Sequence, residues 1–261
     1  MSTRRSAQTV SPADVRRWFA DGHYTAEERA YLEYHAARIA FLIDLVDGHV
    51  ADNAKARTGS VRVLDIGPHF VTAALRARFG TAIRLNTMGW ANHRLAPPHV
   101  VDKHFEFDLN DAQDDGRWPA SEPHDIVLMA EVIEHLYTSP RIVLSFVKTF
   151  LTAGGVLILQ TPNAVRLRNR LKMLLGRHPF EPIRDTRDNP GHFREYTARE
   201  LRSLCRDASL NCERIFYADY WPERAPWVAL QWIDPNLRNG LTVVARKPRD
   251  SDATRTDSTT G

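Results

Sequence analysis

The sequence predicts a doubly wound α/β fold, with N-terminal helices and a mostly parallel, seven-stranded sheet. Seven short runs rich in Val, Ile and Leu alternate with segments whose apolar residues recur at helical spacing. The chain has 261 residues, of which 43% are hydrophobic, and this suits one such domain with a sizeable core. In sheets of this kind, ligands bind at the carboxyl ends of the strands, near the point where the strand order reverses.

Two helix starts precede the first predicted strand. Ser11 followed by Pro12 is typical of a capped helix N-terminus. Thr25 and Glu28 have the spacing of a capping box, in which each side chain accepts a hydrogen bond from the other residue's backbone N–H. Apolar residues then recur at roughly helical spacing. We therefore expect a helical segment over residues 11–50.

The remaining elements alternate along the chain. A helix is expected over residues 71–79, and Gly154 with Gly155 is expected to end the helix that Ser139 opens. Another capping box, which begins at Thr197, predicts a helix before the sixth strand. The predicted strands cover residues 61–66, 82–86, 105–109, 125–130, 156–160, 213–218 and 241–246.

The same alternation predicts the domain organisation. We expect a single domain over residues 11–248, between tails at 1–10 and 249–261 whose polar composition is typical of disorder. Two insertions interrupt the alternation of strands and helices. One is a basic, lid-like segment at 164–191, and the other is an aromatic segment at 219–240.

Composition excludes several classes of protein. The net charge of +3 is too small to argue for nucleic acid, and no apolar run approaches the roughly 18 residues of a membrane span. The first residues are polar and basic, without the apolar run of a secretory signal. Cys205 and Cys212 have neither metal-binding nor redox spacing. We expect a cytoplasmic protein with two free thiols.

A glycine turn follows the first strand, in V-L-D-I-G-P-H at residues 63–69. Gly67 permits a sharp turn and a close approach of the backbone to a ligand. The helix that follows presents backbone N–H groups without intrahelical partners. By itself, a turn of this kind serves NAD equally well, or no ligand at all.

Four motifs in order resemble class I S-adenosylmethionine-dependent methyltransferases, particularly the branch of the ubiquinone-biosynthesis O-methyltransferases. The resemblance covers about residues 30–246 and implies a Rossmann-like methyltransferase fold with S-adenosylmethionine as the cofactor. The motifs are V-L-D-I-G (63–67), D-I-V-L-M-A-E-V-I-E-H-L (125–136), G-G-V-L-I-L-Q-T-P-N (154–163) and H-F-R-E-Y-T-A-R-E-L (192–201).

The resemblance also implies which residues bind the cofactor. Asp65 and Gly67 would lie around its methionine moiety. Ala130 and Glu131, at the end of the fourth strand, would lie next to that moiety and to the methyl acceptor. Arg38 in the helical segment is a further candidate, because its planar guanidinium matches the cofactor carboxylate; a solvated arginine on an amphipathic helix is the alternative.

The adenosine side of the predicted site departs from the family pattern. The resemblance places Asp108 at the adenine amino group, with Leu109 beside it. The family usually continues Gly67 as G-x-G, whereas this chain continues with proline and His69, which makes His69 a candidate ligand contact. The family usually ends the second strand on an acid that binds both ribose hydroxyls. Here the candidate is Asn86, whose amide both donates and accepts hydrogen bonds.

Two histidines are candidates for a general base. The methyl group of a sulfonium is already activated, so transfer needs an aligned nucleophile more than acid or base groups. A hydroxyl acceptor must still lose its proton, and a histidine with a pKa near 6.5 suits that task at neutral pH. His135 and His192 lie in the matched motifs. The alternative is that either histidine only forms a hydrogen bond to a loop.

The motif after the fourth strand also offers candidate metal ligands. Glu131, Glu134 and His135 fall within about one helical turn, which brings them to one face. No further ligand at a diagnostic spacing completes a site. We therefore expect no metal.

The basic segment at 165–178 contains arginine and lysine but no acid, and Leu167, Leu171 and Leu174 are expected on one face. It is typical of a peripheral membrane contact, of a surface that binds an anionic acceptor, or of a lid helix with a solvated basic face. It lacks aromatic residues for base stacking, so we expect no nucleic-acid partner.

The aromatic insertion leaves three roles open: a wall of the acceptor pocket, a subunit contact, or a cover for the sheet edge. The sequence does not predict an oligomeric state. The aromatic residues concerned lie at 216–232, just before and within this insertion, and are Phe216, Tyr217, Tyr220, Trp221, Trp227 and Trp232.

The sequence therefore predicts a methyltransferase that acts on a hydroxyl oxygen of a small molecule, a lipid or a glycan. A methyltransferase fold that binds a ligand without turnover is one alternative. An NAD-dependent oxidoreductase is another, although the chain lacks both the G-x-G-x-x-G turn and the acid that such enzymes carry.

Overall fold

One sheet of seven strands organises the chain, in a computed structural model that describes residues 9–56, 59–90, 97, 99–180, 182–186, 190–221 and 233–249. The strands are β1 (Val61–Ile66), β2 (Ile83–Gly89), β3 (Lys103–Glu106), β4 (His124–Ala130), β5 (Leu151–Pro162), β6 (Asn211–Ala218) and β7 (Gly240–Arg246). Their order is β3-β2-β1-β4-β5-β7-β6, and only β7 runs antiparallel to its neighbours. The predicted fold class is confirmed.

Six α-helices flank the sheet within the described ranges. They are α1 (Pro12–Trp18), α2 (Ala26–Ala56), α3 (Phe70–Phe79), α4 (Pro140–Thr149), α5 (Leu167–Leu174) and α6 (Ala198–Asp207). The predicted caps form: Ser11 Oγ accepts from the N–H of Asp14, and Thr25 Oγ1 accepts from the N–H of Glu28. These bonds satisfy helix N–H groups that have no partner within the helix.

The sheet is buried on both faces, as a parallel sheet requires. One core cluster contains Phe146 of α4 and Leu201 of α6, packed against strand residues such as Leu157. The other contains Ile39 of α2 and Leu75 of α3, on the opposite side of the central strands. Because both faces are covered, the central strands contain continuous apolar runs, such as 126–129 in β4 and 156–159 in β5, instead of alternating throughout.

Three expected boundaries are corrected. β2 pairs with β1 as far as Met88, so Asn86 lies in mid-strand and not at the strand end. The third strand ends at Glu106, because Asp108 caps the short helical turn that follows it. Gly154 lies within β5, where its φ of 80° and its N–H bond to the Lys247 carbonyl make an irregular strand start.

The chain ends and the two insertions also differ in part from the predicted domain organisation. Val10, expected in a disordered tail, packs in the core, and its N–H donates to Asp44. Leu174 is 82% exposed and does not share a buried face with Leu167. The expected tail residues 1–8 and 250–261 lie outside the described residues, as does 222–232 with Trp227 and Trp232. In the described ranges, no helix has the length and apolar character of a membrane span.

Candidate active site

The carboxyl ends of β1 and β4 meet at the point where the strand order reverses. β1 lies between β2 and β4, and Ile66 is paired with Met129. This register brings the turn at Gly67 beside Ala130 and Glu131, which follow on β4. The predicted candidates from both motifs therefore share one edge of the sheet, where doubly wound folds bind their ligands.

Gly67 is required at this edge for two reasons. Its φ is 78°, in the left-handed region that side chains with a Cβ rarely adopt. A Cβ built on Gly67 would lie 2.5 Å from Cγ2 of Val132, in the loop after β4. Its N–H donates to the Met88 carbonyl at 2.9 Å, which fixes the turn against β2. The backbone here is bare and closely packed, as a ligand-binding turn requires.

His69 begins α3 through its backbone. Its N–H donates to Thr72 Oγ1 at 2.9 Å, and its carbonyl accepts from the Thr72 N–H. The ring of His69 lies 4.6 Å from that of Tyr31, with the planes at 66°. His69, which departs from the family pattern, is thus held by its backbone bonds to Thr72 and by an aromatic contact to α2.

Asp65 is a buried acid directly before this turn. Its Oδ2 accepts a hydrogen bond from Thr72 Oγ1 at 2.6 Å. Burial raises the pKa of Asp65 to about 7, and the Thr72 bond and the charge of Arg38 offset only part of that effect. A carboxyl in this position pairs favourably with a cationic group of a ligand, because its ionised form lacks sufficient compensation within the protein.

Arg38 is buried at the same edge although it belongs to the N-terminal helix α2. Its guanidinium donates to Gln160 Oε1 of β5 at 3.0 Å, to the Tyr31 hydroxyl at 3.2 Å and to His35 Nδ1 at 3.1 Å. The solvated alternative for Arg38 is therefore wrong. A buried, oriented guanidinium can bind a carboxylate of a ligand.

An aromatic wall on α2 holds this arginine, and sequence reasoning missed its role. The rings of Tyr31 and His35 lie 4.0 Å apart between centroids, with the planes at 30°, and Trp221 Nε1 donates to His35 Nδ1 at 3.1 Å. Burial, with a smaller effect from the charge of Arg38, lowers the pKa of His35 to about 3, so the ring is a neutral acceptor. The spacing of Tyr31, His35 and Arg38 on one helix face was the available signal.

Two buried carboxylates follow β4. Glu131 adopts a φ of 57°, and its N–H donates to the Gln160 carbonyl at 2.8 Å. Glu134 is fully buried, with Oε2 accepting from Thr161 Oγ1 at 2.9 Å. The Oε1 atoms of both residues have no hydrogen-bond partner in the described structure. Burial raises the pKa of both carboxyls, and the charge of Glu131 raises that of Glu134 further.

His135 and His192 are brought together at this site. Their ring centroids lie 4.8 Å apart, with the planes at 81°. His135 Nδ1 bonds to the Gly191 carbonyl at 2.8 Å, and His192 Nδ1 bonds to the Glu195 carboxylate at 3.0 Å. Because both partners only accept, each Nδ1 carries a proton and each Nε2 is an acceptor in the neutral ring.

Two residues of the basic segment hold the Glu195 carboxylate in place. Asn169 of α5 donates to Glu195 Oε2 at 3.1 Å, and Arg166 lies 3.8 Å from Oε1. The expected lid segment is thus joined to His192 through a buried carboxylate. The segment before α6 lies against the turn after β4, and the N–H groups of Phe193 and Arg194 donate to the Glu134 carbonyl.

The predicted adenosine contacts Asp108, Leu109 and Asn86 have different surroundings in the structure. Asp108 caps the turn Leu109–Gln113, its Oδ1 accepting from Asn110, and Leu109 packs in the core. Asn86 is not available at the edge. Its amide bonds at 2.9 Å to Nε2 of His124, the first residue of β4, because β2 continues three residues beyond it.

Comparisons with known proteins agree with this geometry. A family profile described as a methyltransferase domain matches residues 34–215. A probable S-adenosylmethionine-dependent methyltransferase of Mycobacterium tuberculosis is 38% identical over 84 residues, which cover 32% of this chain and 26% of that protein. A corresponding protein of Mycolicibacterium smegmatis is 35% identical over 89 residues, 34% of this chain and 29% of the relative. The chain thus matches about a quarter of the length of these curated relatives.

Solved structures with the same fold have low sequence identity. A candidate sarcosine dimethylglycine methyltransferase from Galdieria sulphuraria superposes with a TM-score of 0.55 at 11% identity, covering 91% of this chain and 98% of that one. The carbon methyltransferase CurJ superposes with a TM-score of 0.52 at 17% identity, covering 92% and 61%. These two show the fold alone. The family profile covers more than half of the sequence, and the chain therefore belongs to the methyltransferase-domain family.

Proposed function

We propose that this protein is an S-adenosylmethionine-dependent methyltransferase that binds its cofactor at the joint edge of β1 and β4. The observation that carries the proposal is a pair of buried opposite charges beside a bare glycine turn. Asp65 suits the ammonium group of a methionine moiety, and Arg38 suits its carboxylate. The names of the mycobacterial relatives support the choice of cofactor.

The remaining cofactor contacts follow from the same placement. Gly67 lets the backbone approach the ligand, while Ala130 and Glu131 lie on the neighbouring strand end. Asp108 is proposed to bind the adenine amino group, with the side chain of Leu109 buried beside it. The ring of His69 packs edge-on against Tyr31 of the aromatic wall, next to the turn. Asn86 is excluded from the proposed contacts, because its amide faces His124.

The proposed reaction transfers a methyl group to an acceptor oxygen. A sulfonium cofactor supplies an activated methyl group, so the main task of the protein is to align the acceptor. In the metal-free protein, His135 and His192 each present Nε2 as a proton acceptor, held by Nδ1 bonds to Gly191 and Glu195. We propose that one of them takes the proton of a hydroxyl in a small molecule, a lipid or a glycan.

The basic segment is proposed to contact an anionic membrane surface. The end of α5 exposes Met173, Leu174 and Leu175, whose exposed fractions are 63%, 82% and 70%. Arg168 and Arg170 are exposed on the same helix. Exposed apolar groups with flanking cations bind anionic lipid surfaces. Sedimentation with vesicles of anionic phospholipid should retain the protein, and vesicles of neutral phosphatidylcholine should not.

A second candidate function is ligand binding without turnover. One observation favours it: neither β2 nor the next residue, Trp90, provides an acid that could bind the ribose hydroxyls.

Titration calorimetry with S-adenosylmethionine, S-adenosylhomocysteine and NAD tests the main proposal, and Asp65→Ala should weaken binding of the sulfur compounds at least tenfold. Asp125→Asn is the matched control, because that buried acid lies at the opposite end of β4. Absence of heat with both sulfur compounds would refute the proposal.

A further inference from the structure

We infer that Glu134, His135 and His192 form a binding site for a divalent metal ion, with Glu131 beside them. The site lies next to the proposed cofactor turn, and it deepens the proposed function by assigning a second ligand to that edge. Cation binding itself does not depend on methyl transfer. Mixed imidazole and carboxylate donors favour a first-row ion such as Mn²⁺ or Zn²⁺ over Ca²⁺.

The distances between the donor atoms suit one ion. One donor atom from each of Glu134, His135 and His192 lies within 4.8 Å of the other two. Donors bound at about 2.0–2.2 Å lie roughly 3–4 Å from one another around a metal ion. A shift of less than about an ångström therefore closes the site. Two of the three donors belong to one short turn, so only His192 has to approach from another segment.

The buried carboxylates provide an independent indication. Glu134 is fully buried, and its Oε1 lacks a partner in the described structure while Thr161 holds the other oxygen. Oε1 of Glu131 is buried without a described partner as well. Burying a carboxylate without compensation costs free energy. Arg38 is directed to Gln160, Tyr31 and His35 by its hydrogen bonds. A divalent ion bound by Glu134, with Glu131 beside it, would supply the positive charge that these carboxylates lack.

The histidines make the Nδ1 hydrogen bonds that are common among metal-binding histidines. Each donates its Nδ1 proton to a fixed acceptor, the Gly191 carbonyl for His135 and the Glu195 carboxylate for His192. Such bonds direct the Nε2 lone pair toward the ion and raise its basicity. Asn169 fixes Glu195 in turn. Such a chain of hydrogen bonds behind the ring is typical of metal-binding histidines. A histidine that only contacts a loop would not need it.

A bound ion would change how the acceptor loses its proton. With both Nε2 atoms bound to the metal, His135 and His192 would act as ligands and not as bases. An acceptor hydroxyl bound to the ion would have a lowered pKa and would release its proton to solvent, leaving the oxygen as the nucleophile. The methyl group would then move from sulfur to that oxygen, with the S–C electron pair remaining on sulfur.

Manganese is the probe for this site, because its electron paramagnetic resonance signal changes on binding. The 261-residue chain is freed of metal with a chelator and titrated with MnCl₂, ZnCl₂ and MgCl₂ by calorimetry, with no cofactor present. We expect one site per chain for Mn²⁺ or Zn²⁺, and a rise in melting temperature on addition of the ion. His192→Ala and Glu134→Gln should each weaken binding about 10–100-fold.

Controls keep the outcome decisive. Glu134→Gln preserves the acceptor for Thr161, and His192 is partly exposed, so both variants should fold, which circular dichroism verifies. His49→Ala is the matched control, because His49 is a partly exposed histidine on α2. The inference is overturned if the chain binds neither Mn²⁺ nor Zn²⁺, or if both site variants bind as the wild type does. Cofactor titration is measured separately, so loss of one function is distinguished from loss of the other.

Discussion

The negative charge of Asp65 should favour cofactor binding but destabilise the folded protein in the absence of cofactor. Its carboxyl is buried at the end of β1, where only the hydroxyl of Thr72 donates to it among the bonds described. Burial raises the pKa of Asp65 from 3.8 to about 7, so the charged form is disfavoured in the ligand-free protein. The substitution Asp65→Asn keeps the shape and an oxygen that can accept from Thr72, but it removes the charge.

The sign and size of the effect follow from proton linkage. The native pKa lies above the unfolded value, so the native state holds the proton more tightly. The corresponding stability is complete below pH 3.8 and is lost as the pH rises through about 7. A difference of about three pKa units corresponds to about 4 kcal/mol, of which about 3 kcal/mol is lost between pH 5 and pH 8.

Urea unfolding of wild type and Asp65→Asn at pH 5 and pH 8, without cofactor, measures this effect. The variant should gain about 3 kcal/mol relative to wild type between the two pH values, because the other titrating groups cancel in the difference. Its affinity for S-adenosylmethionine should fall at least tenfold. A relative stability that is the same at both pH values would show that Asp65 is already ionised in the native protein, and the reasoning would be refuted.

Three further predictions concern the edge and its supports. Gly67→Ala should destabilise the fold by at least about 1–2 kcal/mol in urea and abolish cofactor binding in calorimetry, because of the positive φ and the contact with Val132. Arg38→Gln should lower cofactor affinity at least tenfold while Arg29→Gln, on the exposed part of α2, leaves it unchanged. Thr197→Ala should cost about 1 kcal/mol by loss of the α6 cap without changing cofactor affinity; an altered affinity would contradict that assignment.

Local patterns predicted most of the secondary structure. Capping boxes at Thr25 and Thr197 begin α2 and α6, since a cap depends on residues three positions apart. The errors lie where a neighbouring strand decides the boundary. β2 pairs with β1 as far as Met88 and with β3 at Gly89, and this places Asn86 in mid-strand. No pattern within β2 itself carries that information.

The candidate site was predicted in part. The turn at Gly67 and the pair Ala130 and Glu131 were expected to meet, since both follow parallel strands whose carboxyl ends share an edge. The sequence did not predict the burial of Arg38 or the role of His35. An amphipathic helix shows which residues share a face, but the partner of that face depends on how the helix crosses the sheet.

The sequence by itself determined the order of the elements, the glycine turn and the position of the acids next to it, because these depend on propensity and spacing within a few residues. The tertiary structure alone decided that His192 meets His135, and that Glu134 lies fully buried beside them. Those contacts join segments that are distant along the chain. They form because the sheet topology brings the turn after β4 under the segment before α6, which no local pattern records.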